Sequence, residues 1–290
     1  MEMNEYQLQA QLTDQLPSDA IIPLLGLSGE VGSLLSEYKK FLRDGPAHEL
    51  FPEKIAEELG DVLWYLANAA TKFGLNLEDV ATSNIAKTQD RWPPEGMESS
   101  YRQFDEDFDI HEQLPRSFMA LINEEADLDG KARIHLSIDG VPAGDSLRDN
   151  SHTEDGYRFH DVFHLAHAAK LGWSPVLRGK LLTPDRKRRS DPGINEVEDG
   201  GRAIVIDEAI VAYVWEYAKR HNFLDGVASV DYRILKTIKD FTDGLEVRER
   251  TSHEWEEAIL AGYAVWRTVS EQRSGRIEVD LIGRTIELTG

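Results

Sequence analysis

Between Leu24 and Leu66 the chain carries two apolar stripes at helical spacing, and each has acids set into it. Leu24, Leu27, Val31, Leu34, Leu35, Tyr38 and Leu42 form the first stripe. Ile55, Leu59, Val62, Leu63 and Leu66 form the second. A period of three to four residues specifies amphipathic helix and excludes strand, whose period is two. Pro23 fits the first turn of one helix, and Asp44-Gly45-Pro46 ends it. Pro52 sits early in the next, and Gly74 stops it. Residues 19–43 and 52–73 are thus expected to be antiparallel neighbours. A third helix follows from Leu77 to about Arg91, closed by Trp92-Pro93-Pro94.

Glu30, Ser33 and Glu37 share one face of the first helix, at i, i+3 and i+7. Glu58 and Asp61 stand at i and i+3 on the second, with Glu57 alongside. If these faces meet, three or four carboxylates converge, and like charges at close range repel unless a cation neutralises them. Mg²⁺ suits such a site, because it takes hard oxygen ligands and keeps positions for water and phosphate. Acid pairs also occur on solvated helix faces. The glycines weigh against that here: Gly29 and Gly32 flank Glu30, and Gly60 precedes Asp61. Each costs a helix interior about 1 kcal/mol relative to alanine. Small neighbours permit either close helix approach or room for a ligand.

Charge and composition narrow the function classes. The 290 residues hold 32 Lys+Arg against 53 Asp+Glu, a formal net charge of -21. That excess opposes broad binding to nucleic acid, which needs a cationic surface. It does not oppose a nucleotide that arrives with a divalent cation. Cysteine is absent, which removes disulfides, thiolate ligands and cysteine nucleophiles together. No basic-then-apolar leader precedes the first helices and no apolar run approaches 18 residues, so a cytoplasmic protein without membrane contact is expected.

Three segments in order give the chain a family likeness. Gly26-Leu27-Ser28-Gly29-Glu30-Val31-Gly32-Ser33, Glu57-Glu58-Leu59-Gly60-Asp61-Val62-Leu63-Trp64 and Asn84-Ile85-Ala86-Lys87-Thr88-Gln89-Asp90-Arg91-Trp92 resemble a MazG-type all-α nucleoside triphosphate pyrophosphohydrolase. The family pattern is E-x-x-E, a spacer, then E-x-x-D, and residues 34–57 form the spacer here. Ser33 departs from the pattern where the second Glu usually stands; Glu37, one turn on, could replace it. The resemblance implies Mg²⁺, or Mn²⁺, held by Glu30, Glu58 and Asp61 with Glu37 nearby, and Glu57 or Glu37 orienting the attacking water. Substrate phosphates would meet Lys39, Asn84, Lys87 and Arg91. The implied reaction cuts a (d)NTP to the monophosphate and pyrophosphate, in nucleotide pool sanitation or in depletion during phage infection. A homodimer or higher homo-oligomer is implied as well. Ser33 motivates a rival reading, a nucleotide-binding sensor without turnover.

The rest of the chain reads as a second, mostly helical domain. Domain 1–95, an acidic linker 96–112 and domain 113–290 are the expected divisions, with Asp105-Glu106-Asp107 solvated in the linker. Gln113–Glu124 reads as helix. Ala132–Ile138 alternates as a strand into the Asp139-Gly140 turn, a small β-hairpin element. Helices are expected at Tyr157–Leu171, Pro175–Leu182, Gly201–Arg220, Ser229–Asp240 and Ser252–Glu271, and a strand at 277–281. Arg186-Lys187-Arg188-Arg189 reads as a solvated loop. His160, His164 and His167 fall at i, i+4 and i+7 beside Asp161, which is metal-site spacing and equally the spacing of a buried helix face. Phosphohydrolase chemistry at His160, Asp161 and His164 is a further alternative. Gly60–Ala70 resembles His160–Ala169 with one residue deleted, and Glu208 parallels Glu30. A diverged, permuted copy of the helical core is thus a hypothesis, with Arg158 standing where Glu58 stood and suiting phosphate. The stretch Glu154–Pro175, followed by Glu198–Ala209, also resembles the C-terminal domain appended to some MazG-type proteins.

Overall fold

The computed structural model describes residues 1–15, 19–49, 51–94, 96, 101–126, 129–182 and 186–289. It is mostly helical and divides into two compact units, Met1–Gln89 and Asp90–Gly290.

The first unit is built on α2 (Ile21–Asp44) and α3 (Phe51–Lys72), joined through a turn in which Gly45 takes φ +58°. These are the two helices the apolar stripes require. They pack closely at Gly26, where a β-carbon would run into the ring of Tyr65. A further helix, α1 (Met3–Leu12), packs on α3. Its Gln7 amide donates to Thr71 Oγ1 at 3.0 Å and to the Leu75 carbonyl at 2.9 Å, and its oxygen accepts from Leu77 N at 2.7 Å. The last helix, α4 (Leu77–Arg91), follows.

This unit does not close a core of its own. Among the described residues, its buried apolar cluster is Ala10, Ala67, Ala70 and Leu77, with Met3, Tyr6 and Trp64 against it. Half of the stripe that the sequence assigns to the interior faces outward. Leu24, Val31, Leu35, Tyr38 and Leu42 are exposed on α2, as are Leu59 and Leu66 on α3.

The second unit carries a five-stranded antiparallel sheet in the order β3-β2-β1-β4-β5. Its strands are β1 (Ser117–Ala126), β2 (Ala132–Ile138), β3 (Val141–Pro142), β4 (Ser274–Asp280) and β5 (Thr285–Thr289). The expected hairpin is therefore one corner of a larger sheet. The expected helix at 113–124 is instead β1. Met119, Ala120, Leu121, Glu124 and Glu125 favour helix locally. Phe118, Ala120 and Ile122 alternate inward, however, and pairing on both edges with β2 and β4 overrides that propensity.

The sheet's apolar face packs on α5 (Asp161–Leu171) and α10 (Ser252–Gln272). The shorter α6 (Pro175–Lys180) and α7 (Pro192–Val197), with α8 (Gly201–Lys219) and α9 (Tyr232–Thr242), complete the unit. Every residue of α5 except Lys170 is buried.

Two expectations about surface charge are corrected here. Asp105, placed in a solvated linker, is buried, accepting from Leu114 N at 2.7 Å and pairing with Arg116 and Arg178, each at 2.7 Å. Arg189, placed in a solvated basic loop, is also buried, between Asp199 at 2.8 Å and Glu246 at 2.9 Å. Arg178 closes the row, with Nε 3.2 Å from Asp199. A charge ladder thus runs Arg116, Asp105, Arg178, Asp199, Arg189, Glu246. It is legible only in three dimensions, because its members are far apart in sequence. Residues 95 and 97–100, on either side of the 95/96 boundary, lie outside the described residues.

Beside the ladder, Glu198 is buried, and its carboxyl is pushed up to about 7. Burial is the main cause, and Glu246 and Asp199 add repulsion. The native state keeps this proton over a window in which the unfolded chain has lost it, from the ordinary carboxylate range to about pH 7. Its contribution is therefore fully present at low pH and is lost as pH rises through 7. Glu198→Gln is expected to match the parent near pH 4 and to be more stable at pH 8, by on the order of 1–3 kcal/mol. Urea midpoints at the two pH values check this.

Candidate functional site

α2 and α3 place the predicted acids on adjoining helices. Glu30 and Glu58 are half-buried, while Glu57 and Asp61 are exposed. The Glu58 carboxyl is raised above its ordinary range, first by burial and then by the negative charges of Glu30, Asp61, Glu37 and Glu57. Four nearby carboxylates, two of them on its own helix, thus add to the effect of burial on Glu58.

Glu37 has a different role within this group. It is buried, its Oε1 accepts from Lys40, and its Oε2 stands 3.3 Å from His48 Nε2. The hydrogen bond from Lys40 is the main reason its carboxyl lies below the ordinary range. The structure therefore gives Glu37 its own partners, Lys40 and His48, at the turn between the helices. Phe51 stacks on Phe41 at 4.2 Å beside them.

The glycines beside the acids divide in function. Among the described residues, nothing beyond the chain neighbours and the helix's own backbone lies within 4 Å of where a β-carbon would stand at Gly29, Gly32 or Gly60. These three leave space, and the close helix contact is made at Gly26 instead.

The substrate-side residues lie apart in accessibility. Lys39 is exposed on α2, and Asn84 and Lys87 are exposed on α4 at i and i+3. Arg91 ends α4 and falls in the second unit, its guanidinium 4.7 Å from the Trp92 ring centre and 4.8 Å from that of Tyr232.

In the second unit, His160, His164 and His167 form one buried stripe on α5 and the turn before it. They face Asp207 and Glu208 on α8, two acids of which sequence reasoning singled out only the second as a site residue. His167 Nδ1 lies 2.8 Å from Asp207 Oδ1, and Ser174 Oγ donates to Asp207 Oδ2 at 2.7 Å. Burial alone would lower the His164 imidazole, but Asp207 and Glu208 outweigh it and raise it to about 10. The Asp207 carboxyl is correspondingly depressed: its burial is outweighed by His164 and His167. Among the described residues, three such ligand atoms come within 4.8 Å of one another in two places, both here: His160, His164 and Glu208, and His164, His167 and Asp207.

Arg158 and Asp161 are engaged within the fold. Arg158 is buried and pairs with Asp149 at 2.6 Å and Glu124 at 2.8 Å, so its guanidinium is saturated by carboxylates rather than open to phosphate. Asp161 Oδ1 accepts from Lys180 Nζ.

The fold and the acid set place the first unit in the class of all-α domains built on paired acid-bearing helices. The chain belongs to the MazG family: residues 24–94 match the MazG nucleotide pyrophosphohydrolase domain, and residues 99–290 match the MazG C-terminal domain. It is also similar to the Gene 37 protein of Mycobacterium phage L5, 35% identical over 101 residues that cover 31% of this chain and 89% of the phage protein. No solved structure matches. Among the described residues, no helix is long and apolar enough to cross a membrane.

Proposed function

We propose that the first unit is a Mg²⁺-dependent pyrophosphohydrolase that cleaves a nucleoside triphosphate to the monophosphate and pyrophosphate. The observation that carries this is the placing of Glu30 on α2 beside Glu58 and Asp61 on α3, with the Glu58 carboxyl raised first by burial and then by the charges of Glu30, Asp61, Glu37 and Glu57. Such a donor set of oxygens fits a hard divalent cation. Glu30, Glu58 and Asp61 would hold it, since Glu37 is already paired with Lys40 and His48. When bound, Mg²⁺ (or Mn²⁺) supplies charge neutralisation for the phosphates and acidifies water. Glu57, exposed beside Glu58, orients the attacking water. Asn84 and Lys87 donate to phosphate oxygens, and the space at Gly29, Gly32 and Gly60 admits the substrate.

The assay is a panel of NTPs and dNTPs with Mg²⁺ or Mn²⁺, with products resolved chromatographically. Monophosphate with pyrophosphate supports the reading. Tight nucleotide binding without turnover would replace it with the sensor, for which Ser33 speaks. Nucleotide pool sanitation or depletion is the biological role this activity would serve, in the cytoplasm.

A second copy of this chain is the proposed cover for the open apolar face of α2 and α3. Leu35 and Leu42 are 63% and 66% exposed there, and burying each would contribute about 1.5–3 kcal/mol. Leu35→Glu is expected to convert a dimer or larger oligomer to monomer in light scattering at micromolar concentration, and to lower the melting temperature. An unmodified protein that is already monomeric at that concentration refutes the cover.

A further inference from the structure

We propose that the second unit binds one divalent first-row transition metal ion through His160 Nε2, His164 Nε2 and Glu208 Oε2. This site is independent of the carboxylates of the first unit.

The three atoms are already close to ligand spacing. Glu208 Oε2 stands 3.4 Å from His164 Nε2 and 3.8 Å from His160 Nε2. Bonds of about 2.0–2.1 Å in a tetrahedral site imply ligand–ligand edges of about 3.3 Å. Both Glu208 distances are within about half an ångström of that edge, and the ligand atoms of the three residues all lie within 4.8 Å of one another.

The imidazoles are presented as ligands should be. His160 Nδ1 lies 2.9 Å from the Tyr157 carbonyl, which fixes the proton on Nδ1 and leaves the Nε2 lone pair facing Glu208. Tyr157 also stacks on the His160 ring at 4.6 Å, holding its plane. His164 Nδ1 stands 3.1 Å from Asp207 Oδ1, the carboxylate–histidine arrangement that orients a metal-bound ring through its other nitrogen. Asp207 is fixed in turn by His167 and Ser174. These outer contacts are a support structure that a plain core helix does not require.

His164 is held by ion-pair contacts, Nδ1 to Asp207 at 3.1 Å and Nε2 to Glu208 at 3.4 Å. It is buried, yet neither ring nitrogen makes a hydrogen bond of proper geometry. A buried polar atom left without a partner is costly. Asp161 Oδ2, next to His160, is likewise buried without a partner.

The set His164, His167 and Asp207 is the weaker candidate. Asp207 is fully buried, and its oxygens are already taken by His167 and Ser174. The chosen set opens to solvent through the Glu208 side chain, which is 41% exposed, so the ion can enter and keep positions for water or ligand. Two imidazoles and one carboxylate select Zn²⁺, Fe²⁺, Mn²⁺ or Co²⁺ over Mg²⁺.

The test is titration of chelator-treated full-length protein with Co²⁺, read by visible absorption and calorimetry. The expected result is one high-affinity Co²⁺ with ligand-field bands, displaced by Zn²⁺ and unchanged in Glu58→Gln. His160→Asn and Glu208→Gln should each weaken binding tenfold or more. Glu208 is partly solvent-exposed, so Glu208→Gln carries the test if His160→Asn fails to fold. Absence of the bands, or bands of undiminished affinity in Glu208→Gln, overturns the proposal. So do bands lost in Glu58→Gln but kept in Glu208→Gln, which would place the ion in the first unit.

Discussion

Glu58→Gln is expected to reduce nucleoside triphosphate cleavage by about 100-fold or more, while the metal-free variant melts no lower than the parent. The two effects have one cause. Glu58 receives the negative fields of Glu30, Asp61, Glu37 and Glu57, so removing its charge relieves repulsion in the empty site. The same charge is what a bound cation would use, and stabilisation by a catalytic metal is worth several kcal/mol, with each 1.36 kcal/mol a factor of ten in rate. The amide keeps the size of the side chain, and Glu58 lies on a helix face beside open space, so the fold has no reason to change. Steady-state product formation with Mg²⁺, and thermal melts in chelator, measure the two arms. Asp61→Asn should follow the same pattern. Activity unchanged in both variants would remove the proposed site. A loss of activity accompanied by a large drop in melting temperature would assign Glu58 a structural role instead.

The first unit was legible because its chemistry is local. Acids at i and i+7 on one periodic helix and at i and i+3 on the next fix which side chains share a face, and α2, α3 and α4 lie where the periodicity puts them. What periodicity cannot say is what covers an apolar stripe. Leu35 and Leu42 read as interior and face outward, because α1 packs on α3 and, among the described residues, nothing in the unit covers that face of α2. The second unit was legible in its helices and not in its sheet. β1 looks helical residue by residue, and its state is decided by β2, adjacent in sequence, and β4, more than 140 residues away. Glu208 was found from sequence only through a loose likeness to Glu30, and Asp207, which fixes the histidines, was not singled out as a site residue. Its signal is faint: an acid in an otherwise apolar stretch, Ala203-Ile204-Val205-Ile206-Asp207-Glu208-Ala209-Ile210, that must be buried if that face packs on α5. Charge runs misled in the same way. Arg189 and Asp105 each sit among like-charged neighbours, which suggests solvent, and each is buried because its partners come from distant segments.

Arg189→Met is expected to destabilise the second unit by about 3–5 kcal/mol. Arg189 is buried, and its guanidinium contacts both Asp199 and Glu246 through charged hydrogen bonds. Those contacts hold its own charged form firmly, with its titration pushed above the ordinary arginine range despite burial. Methionine fills much of the volume but supplies no charge. Asp199 would keep the backbone N–H of residue 189 and Arg178, whose guanidinium also serves Asp105 and the Glu112 carbonyl, and Glu246 would lose both hydrogen bonds that it receives from Arg189. Glu246 is already raised, chiefly by burial, and Glu198 beside it titrates near 7. The loss of Arg189 therefore leaves Asp199 and Glu246 dependent on Arg178, which Asp105 also uses, in a buried place. Replacing one partner of such a network costs far more than replacing all of it. Arg189→Met combined with Glu246→Met and Asp199→Asn should accordingly recover a large part of the loss. The single variant should also recover stability below about pH 5, where the orphaned acids take up protons. Urea unfolding of the single and combined variants at pH 5 and pH 8 measures this. A cost below 1 kcal/mol for Arg189→Met at pH 8 would show that the ladder adds little, and that the apolar packing of α5 and α10 on the sheet is enough to hold the unit together.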